Sequence, residues 1–125
     1  MATIVHTDKA PAAIGPYSQA VISGSMVFTS GQIAINPQSG EVEATDIASQ
    51  TEQVMKNLGE VLKAAGSDYE KAVKTTCFLK DMGDFATFNE IYGRYFTGKP
   101  ARSCVAAAAL PKGVLVEVEV IAEIG

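Results

Sequence analysis

The sequence predicts an α+β protein, a two-layer sandwich in which two helices lie on one face of a mixed sheet of about six strands. Apolar residues recur at period two in short stretches and at helical spacing in two longer ones. In chain order these stretches are strand, hairpin, helix, strand, helix, strand, strand. The 125 residues fit a single domain, residues 1–125, which can bury a core without metal or disulfide support.

Composition and charge exclude several classes of protein. With 47% apolar and 19% charged residues, the chain is not of the disordered type. A net charge of −4 argues against binding duplex nucleic acid through its phosphates. No apolar run approaches the ~20 residues of a membrane span. Because no basic, cleavable leader opens the chain, we expect a cytoplasmic protein without membrane contact.

The N-terminal part predicts strands around a stiff loop. Residues 3–6 form a short strand, and residues 20–22 and 26–30 form a hairpin with Gly24 at the turn. The loop before the hairpin holds residues that exclude regular structure: Pro11, Gly15 and Pro16.

Two positions near this loop are candidates for a binding site. Tyr17 follows the loop, and spacing alone leaves two roles open, a pocket cap or a core aromatic with a satisfied hydroxyl. Ser30 and Gly31 end the second hairpin strand. A glycine there either lets the backbone approach a ligand or neighbour closely, or marks a bulge.

Two amphipathic helices follow. The first begins after Thr45 or Asp46, runs for about 19 residues and ends before Gly66. Gly59, in its middle, predicts a close approach to the sheet. Asp84 is expected to cap the second helix, whose apolar stripe is Phe85, Phe88, Ile91, Tyr92 and Tyr95.

Asn89 lies off the stripe of the second helix. The residues alone favour a solvated polar face for it, with contact to a neighbouring pocket as the alternative. The two cysteines, Cys77 and Cys104, are expected to be reduced thiols in a chain without an export signal. No metal site is expected, because His6 is the only histidine and no CxxC motif occurs.

The C-terminal segment concentrates the chemistry. Arg102 and Cys104 share one face of a strand, and the strand over residues 114–124 is apolar on one side. Its other side mixes large apolar groups with Glu117 and Glu119, which predicts that a second copy of the chain covers it. A guanidinium, a thiol and carboxylates indicate a site for a small anionic molecule. Chain order alone suggests that these two strands pair as a hairpin.

These residues resemble the RidA (YjgF-like) family of imine deaminases over nearly the whole chain. The residues that carry the resemblance are PARSCV at 100–105, LPKG at 110–113, VEVE at 116–119, AIGPYSQ at 13–19, SGQ at 30–32 and QVMKNL at 53–58. Val118 departs mildly from the isoleucine that the family often has there.

The resemblance implies a fold and an assembly. It implies a chorismate-mutase-like homotrimer whose sheets face a central core and whose ligand clefts lie between subunits. It also implies that the last strand is central in the sheet, so that Arg102 and Glu117 meet by assembly rather than across a hairpin.

The resemblance further implies hydrolysis of 2-imino acids, such as 2-iminopropanoate and 2-iminobutanoate, to 2-oxo acids and ammonia, without metal or cofactor. Arg102 suits a bidentate grip on the substrate carboxylate. Glu117 suits the positioning and deprotonation of water, because a partly buried carboxylate can have a raised pKa and act as a base near neutrality. The cleft would also be lined by Tyr17, Ser30, Gly31, Asn89 and Cys104.

Other roles stay open for the sequence. Cys104 is expected to line the pocket rather than to act as a nucleophile, because no histidine is available to activate it. The same site would serve a non-catalytic 2-oxo acid-binding regulatory trimer. A ribonuclease or translation-inhibitor role is disfavoured by the acidic balance and the lack of a basic or aromatic stripe. The sequence says nothing about a chaperone-like role.

Overall fold

A computed structural model of the protein describes residues 2–125 and confirms the predicted α+β sandwich. One six-stranded sheet, in the order β1-β2-β3-β6-β4-β5, carries two helices. The strands are β1 Thr3–Val5, β2 Ala20–Ser23, β3 Met26–Thr29, β4 Ala72–Leu79, β5 Ala101–Ala106 and β6 Val116–Glu123. The helices are α1 Ile47–Ala64 and α2 Phe85–Tyr95.

The last strand lies in the middle of the sheet. Strand β6 pairs antiparallel with both β3 and β4, and β4 pairs parallel with β5. The hairpin that chain order suggested for the last two strands is therefore wrong, and the central position implied by the family resemblance is confirmed. Because parallel neighbours need a crossover, α2 connects β4 to β5.

Alternate residues of each strand point toward the helices. In β6 these are Val116, Val118, Val120 and Ala122, all essentially without solvent exposure. They pack with the buried stripe of α1, which includes Val54, Leu58 and Val61. The core thus lies between the two helices and one face of the sheet, as the apolar alternation predicted.

The helix ends follow the sequence with one exception. Asp46 caps α1 by accepting a hydrogen bond from the Ser49 N–H at 2.8 Å, and Gly66 takes a φ of +84° just after it. Asp84 makes no capping hydrogen bond. Asp81 instead accepts one from the Gly83 N–H at 2.8 Å, because a short 3₁₀ turn precedes α2.

The sequence suggested that Gly59 lets α1 approach the sheet closely, but the group that packs against Gly59 is the Tyr69 side chain. A Cβ at this position would lie 2.1 Å from the hydroxyl oxygen of Tyr69. The Tyr69 hydroxyl donates a hydrogen bond to the Met55 carbonyl at 2.5 Å. The glycine therefore makes room for a tyrosine that packs against α1.

The second face of the sheet has no covering layer within the chain. Large apolar side chains on it are strongly exposed, among them Ile4 at 70%, Phe28 at 44% and Val105 at 49%. Glu117 and Glu119 lie on the same face, since they alternate with the buried valines of β6. No helix in residues 2–125 combines the length and the apolar character that crossing a membrane requires.

Candidate active site

Arg102 lies on the helix side of the sheet, against α2. Its guanidinium carbon is 4.8 Å from the centre of the Tyr92 ring and 5.4 Å from that of Phe85. Its Nη1 donates a hydrogen bond to the Asn89 side-chain oxygen at 2.6 Å. Phe85, Asn89 and Tyr92 are four and three residues apart, so one face of α2 presents all three groups to the guanidinium.

The charge of Arg102 has no carboxylate partner within residues 2–125. The other arginine, Arg94, lies 2.9 Å from a Glu90 oxygen and 3.9 Å from a Glu52 oxygen. Arg102 instead lines a cavity of about 410 Å³ together with Asn89, Tyr92, Gly93, Phe96, Thr97, Lys99 and Pro100. Its cationic fork is therefore free to bind an anion.

Glu117 lies beside Gly31. The segment after β3 runs next to β6, because the Gln32 N–H donates to the Val118 carbonyl at 2.8 Å and the Val118 N–H donates back at 3.2 Å. A Cβ on Gly31 would lie only 2.0 Å from a carboxylate oxygen of Glu117. The missing side chain at Gly31 thus leaves room for the carboxylate. Of the two roles left open for this glycine, close approach of a neighbour and a bulge, the structure favours close approach.

The pKa of the Glu117 carboxyl is raised above its usual value. Burial of the half-exposed side chain is the main cause, and the negative charge of Glu119 two residues away adds to it. A carboxylate whose pKa is raised toward neutrality is a better proton acceptor at cellular pH than an ordinary one.

Glu117 opens into a second and larger cavity of about 590 Å³. Tyr17, Ser30 and Gly31 line it as well, so four of the residues selected from the sequence meet there. Tyr17 is 54% exposed, so it is not the core aromatic that spacing left possible. The volume is in the range of small-molecule sites.

Hydrogen bonds fix the proline-rich wall of this cavity. The Ser30 hydroxyl donates to the Ser18 carbonyl at 2.5 Å, and the Ser30 N–H donates to the Gln19 carbonyl at 2.9 Å. The buried Gln19 amide accepts from the Thr7 N–H at 2.7 Å and donates to the Pro11 carbonyl at 2.8 Å. Sequence reasoning missed Gln19, although a lone amide after a proline-rich loop is a signal for such a tether.

Cys104 lies two residues beyond Arg102 on the same face of β5. It packs against the hydrophobic core, is in register with Cys77 and lines neither of the two cavities. Burial raises the pKa of its thiol, although the charge of Arg102 acts in the opposite direction. The thiol is thus protonated near neutrality, which is unfavourable for a nucleophile.

The site residues therefore form two groups on one chain. Arg102 and Asn89 line the cavity on the helix side, whereas Glu117, Gly31, Ser30 and Tyr17 line the cavity on the uncovered side. Sequence reasoning selected both groups but did not assign the aromatic stack under Arg102, since Phe85 and Tyr92 belong to an ordinary apolar stripe.

The fold defines the class of protein as an α+β sandwich with an uncovered sheet face and cavities of small-molecule size. The family model described as Endoribonuclease L-PSP matches residues 7–124. The chain belongs to this family, which includes the RidA proteins that its motifs resemble.

Three relatives illustrate the likeness. The mouse protein named 2-iminobutanoate/2-iminopropanoate deaminase is 52% identical over 120 residues, 95% of this chain and 89% of that protein. A Lactococcus lactis protein whose name gives AldR as a candidate regulator is 53% identical over 122 residues, 97% of each chain. The crystal structure of Escherichia coli TdcF with bound serine matches with a TM-score of 0.93 and 45% identity, covering 98% of this chain and 99% of that one.

Proposed function

We propose that the protein hydrolyses small 2-imino acids to 2-oxo acids and ammonia, in a site formed where two copies of the chain meet. The observation that carries the proposal is the division of the site. A free guanidinium lies on the helix side of the sheet and a carboxylate of raised pKa on the other, each at a cavity. The names of relatives such as the mouse deaminase support the substrate class.

Assembly would join the two halves. The uncovered face carries exposed Phe28 and Val105, which a second copy would bury. Since Arg102 and Glu117 lie on opposite sides of the sheet, the contact would join different surfaces of two copies. A contact of this kind forms a closed ring when the rotation between copies allows it, and we propose the homotrimer that the family resemblance implies.

Arg102 would bind the substrate carboxylate. Two parallel N–H···O bonds fix both the charge and the orientation of an acid, which a lysine could not do. Asn89, which already accepts from the guanidinium at 2.6 Å, would hold the fork in one orientation. The imine carbon, one bond from the carboxylate, would then lie at a fixed distance from the anchor.

Glu117 would move the protons. As water attacks the carbon of the protonated imine, Glu117 takes a proton from the water, and a carbinolamine forms. The same carboxyl gives that proton to the nitrogen. The C–N bond then breaks, ammonia leaves, and the hydroxyl proton returns to the carboxylate as the C=O bond forms. Ammonia finally takes up that proton, so that iminium and water yield a 2-oxo acid and ammonium.

The test is the rate of 2-oxo acid formation from a freshly generated 2-imino acid. An amino acid oxidase supplies the imine in place, and the product is followed against the spontaneous hydrolysis. We expect acceleration that is proportional to the concentration of the protein. A rate equal to the spontaneous one, with a well-folded oligomer, would reject the proposal.

A regulator that binds 2-oxo acids without turnover is the second candidate, favoured by the name of the Lactococcus lactis relative. The same assay separates the two, because a binder releases no product above the spontaneous rate while still giving heat on titration with 2-oxobutanoate. An RNA-cleaving role, which the family description mentions, is opposed by the net charge of −4.

A further inference from the structure

The guanidinium of Arg102 is held by more than its own strand. Three groups on one face of α2 contact it: the Tyr92 ring at 4.8 Å, the Phe85 ring at 5.4 Å and the Asn89 oxygen at 2.6 Å from Nη1. A long, flexible side chain normally loses rotamer freedom when it binds a ligand. Here the two rings restrict the guanidinium before any ligand arrives.

Tyr92 is itself immobilised from below. Its hydroxyl and the Thr75 hydroxyl form a hydrogen bond of 2.7 Å, and both residues are buried. Its ring stacks on Phe96 with the centroids 4.7 Å apart and also contacts Phe88 at 5.6 Å. These contacts therefore hold the Tyr92 ring, on which Arg102 stacks, in one orientation.

Thr75 connects the Tyr92 ring to the strand that carries Arg102. Thr75 on β4 is the register partner of Arg102 on β5, and both point to the helix side of the sheet. Thr75 therefore lies beside Arg102 in the sheet and also holds the Tyr92 ring on which the guanidinium stacks. No carboxylate within residues 2–125 competes for the charge.

We infer that Tyr92, held by Thr75, is a positioning residue that preforms Arg102 as a carboxylate-binding fork, with Phe85 as the second side of the clamp. This inference rests on the proposed function, in which Arg102 anchors the substrate acid. Tyr92 itself does not touch the substrate. It acts by keeping the guanidinium plane in the orientation that two parallel hydrogen bonds require.

The experiment compares Tyr92→Leu, Tyr92→Phe and Ile91→Ala, each alone and together with Arg102→Ala. Ile91→Ala is the matched control, because Ile91 is as buried as Tyr92 on the same helix and supplies none of the groups described as contacting Arg102 or the Tyr92 ring. We measure kcat/KM for 2-iminobutanoate hydrolysis and the Kd of 2-oxobutanoate, on oligomers whose mass and circular dichroism match the wild type.

We expect Tyr92→Leu to lower kcat/KM and to weaken 2-oxobutanoate binding by about tenfold, the size of a lost cation–π contact in a desolvated site. Tyr92→Phe, which keeps the ring, should restore most of both. Ile91→Ala should change either quantity by no more than about threefold. In the Arg102→Ala background, Tyr92→Leu should cause no further loss, because the residue it positions is gone.

An undiminished effect of Tyr92→Leu in the Arg102→Ala background would overturn the inference, as would wild-type activity of the folded Tyr92→Leu protein. An equal loss in Ile91→Ala would also overturn it, since the cause would then be a loosened core. If Tyr92→Leu does not fold, Phe85→Leu carries the same test on the less buried ring of the clamp. Wild-type activity of Arg102→Ala alone would instead reject the proposed function.

Discussion

Arg102 and Glu117 lie on opposite faces of the same sheet, with strand β4 between the strands that carry them. Arg102 faces α2, whereas Glu117 alternates with the buried Val116 and Val118 and so faces away from the helices. One chain therefore cannot bring both groups to one small ligand.

Replacing Arg102 by alanine should remove most of the acceleration. A hydrogen bond to a charged group contributes about 1.5–3 kcal/mol, so the loss of a bidentate pair should lower kcat/KM by well over about tenfold. Steady-state assays on 2-iminobutanoate measure it. Arg94→Ala is the control, because Arg94 is the other arginine of the chain and pairs with Glu90 on the outside of α2. A loss below tenfold for Arg102→Ala would count against the assignment.

Replacing Glu117 by glutamine should lower kcat more than it changes KM, because the amide cannot accept the proton of water. The stability should move in the opposite direction. The folded-state pKa of Glu117 is raised, so its protonated form favours folding and that contribution is lost as the pH rises through the folded pKa. At pH 7 we expect Glu117→Gln to melt at the same or a higher temperature. A large rise in KM with unchanged kcat would reassign Glu117 to binding.

The pH profile provides the control for that role. Activity of the wild type should fall on the acid side as Glu117 becomes protonated. Because the Glu119 charge helps to raise the pKa of Glu117, Glu119→Gln should move this acid limb to lower pH. A limb that stays in place would mean that another group titrates.

Gly31→Ala should disturb the site while the fold survives. The new methyl group would lie 2.0 Å from the end of the Glu117 side chain, which can swing away more easily than the backbone can move. We expect a fall in kcat with little change in melting temperature. Combining the change with Glu117→Gln should cause no loss beyond that of Glu117→Gln alone. Additive losses would show that Gly31 acts on something other than the carboxylate.

The Thr75–Tyr92 hydrogen bond should reveal itself in stability. Thr75→Val leaves the buried Tyr92 hydroxyl without its partner, and we expect a loss of about 1–3 kcal/mol in the free energy of unfolding. Adding Tyr92→Phe removes the orphaned group and should recover most of that loss in denaturant titrations. A double variant as unstable as the sum of the single ones would refute the pairing.

Much of the fold follows from the periodicity of the sequence. The alternating valines of β6 and the stripe of α1 identify the core face, and Asp46 with Gly66 marks the ends of α1. The pairing of strands does not follow in the same way, because two strands with compatible faces can pair as a hairpin or insert a third strand between them. The central position of β6 came from the family resemblance rather than from any local signal.

The sequence likewise identifies some residues of the candidate site and not others. Arg102 and Glu117 stand out because they are charged groups in apolar strands, and Gly31 because it ends one. Tyr92 and Phe85 do not, since a ring that clamps a guanidinium and a ring in a core obey the same helical spacing. Which side of the sheet each group faces depends on the register of β4 with β5 and β6, which no local sequence pattern specifies.

The most direct test of a site shared between copies is complementation between two inactive variants. Arg102→Ala and Glu117→Gln chains are unfolded together and refolded, and chain exchange is verified by the mass of differently tagged oligomers. If each site takes Arg102 from one chain and Glu117 from another, random mixing leaves about one site in four intact, and about a quarter of the wild-type activity should return. Activity that stays at the average of the two separate variants, with exchange verified, would contradict a shared site.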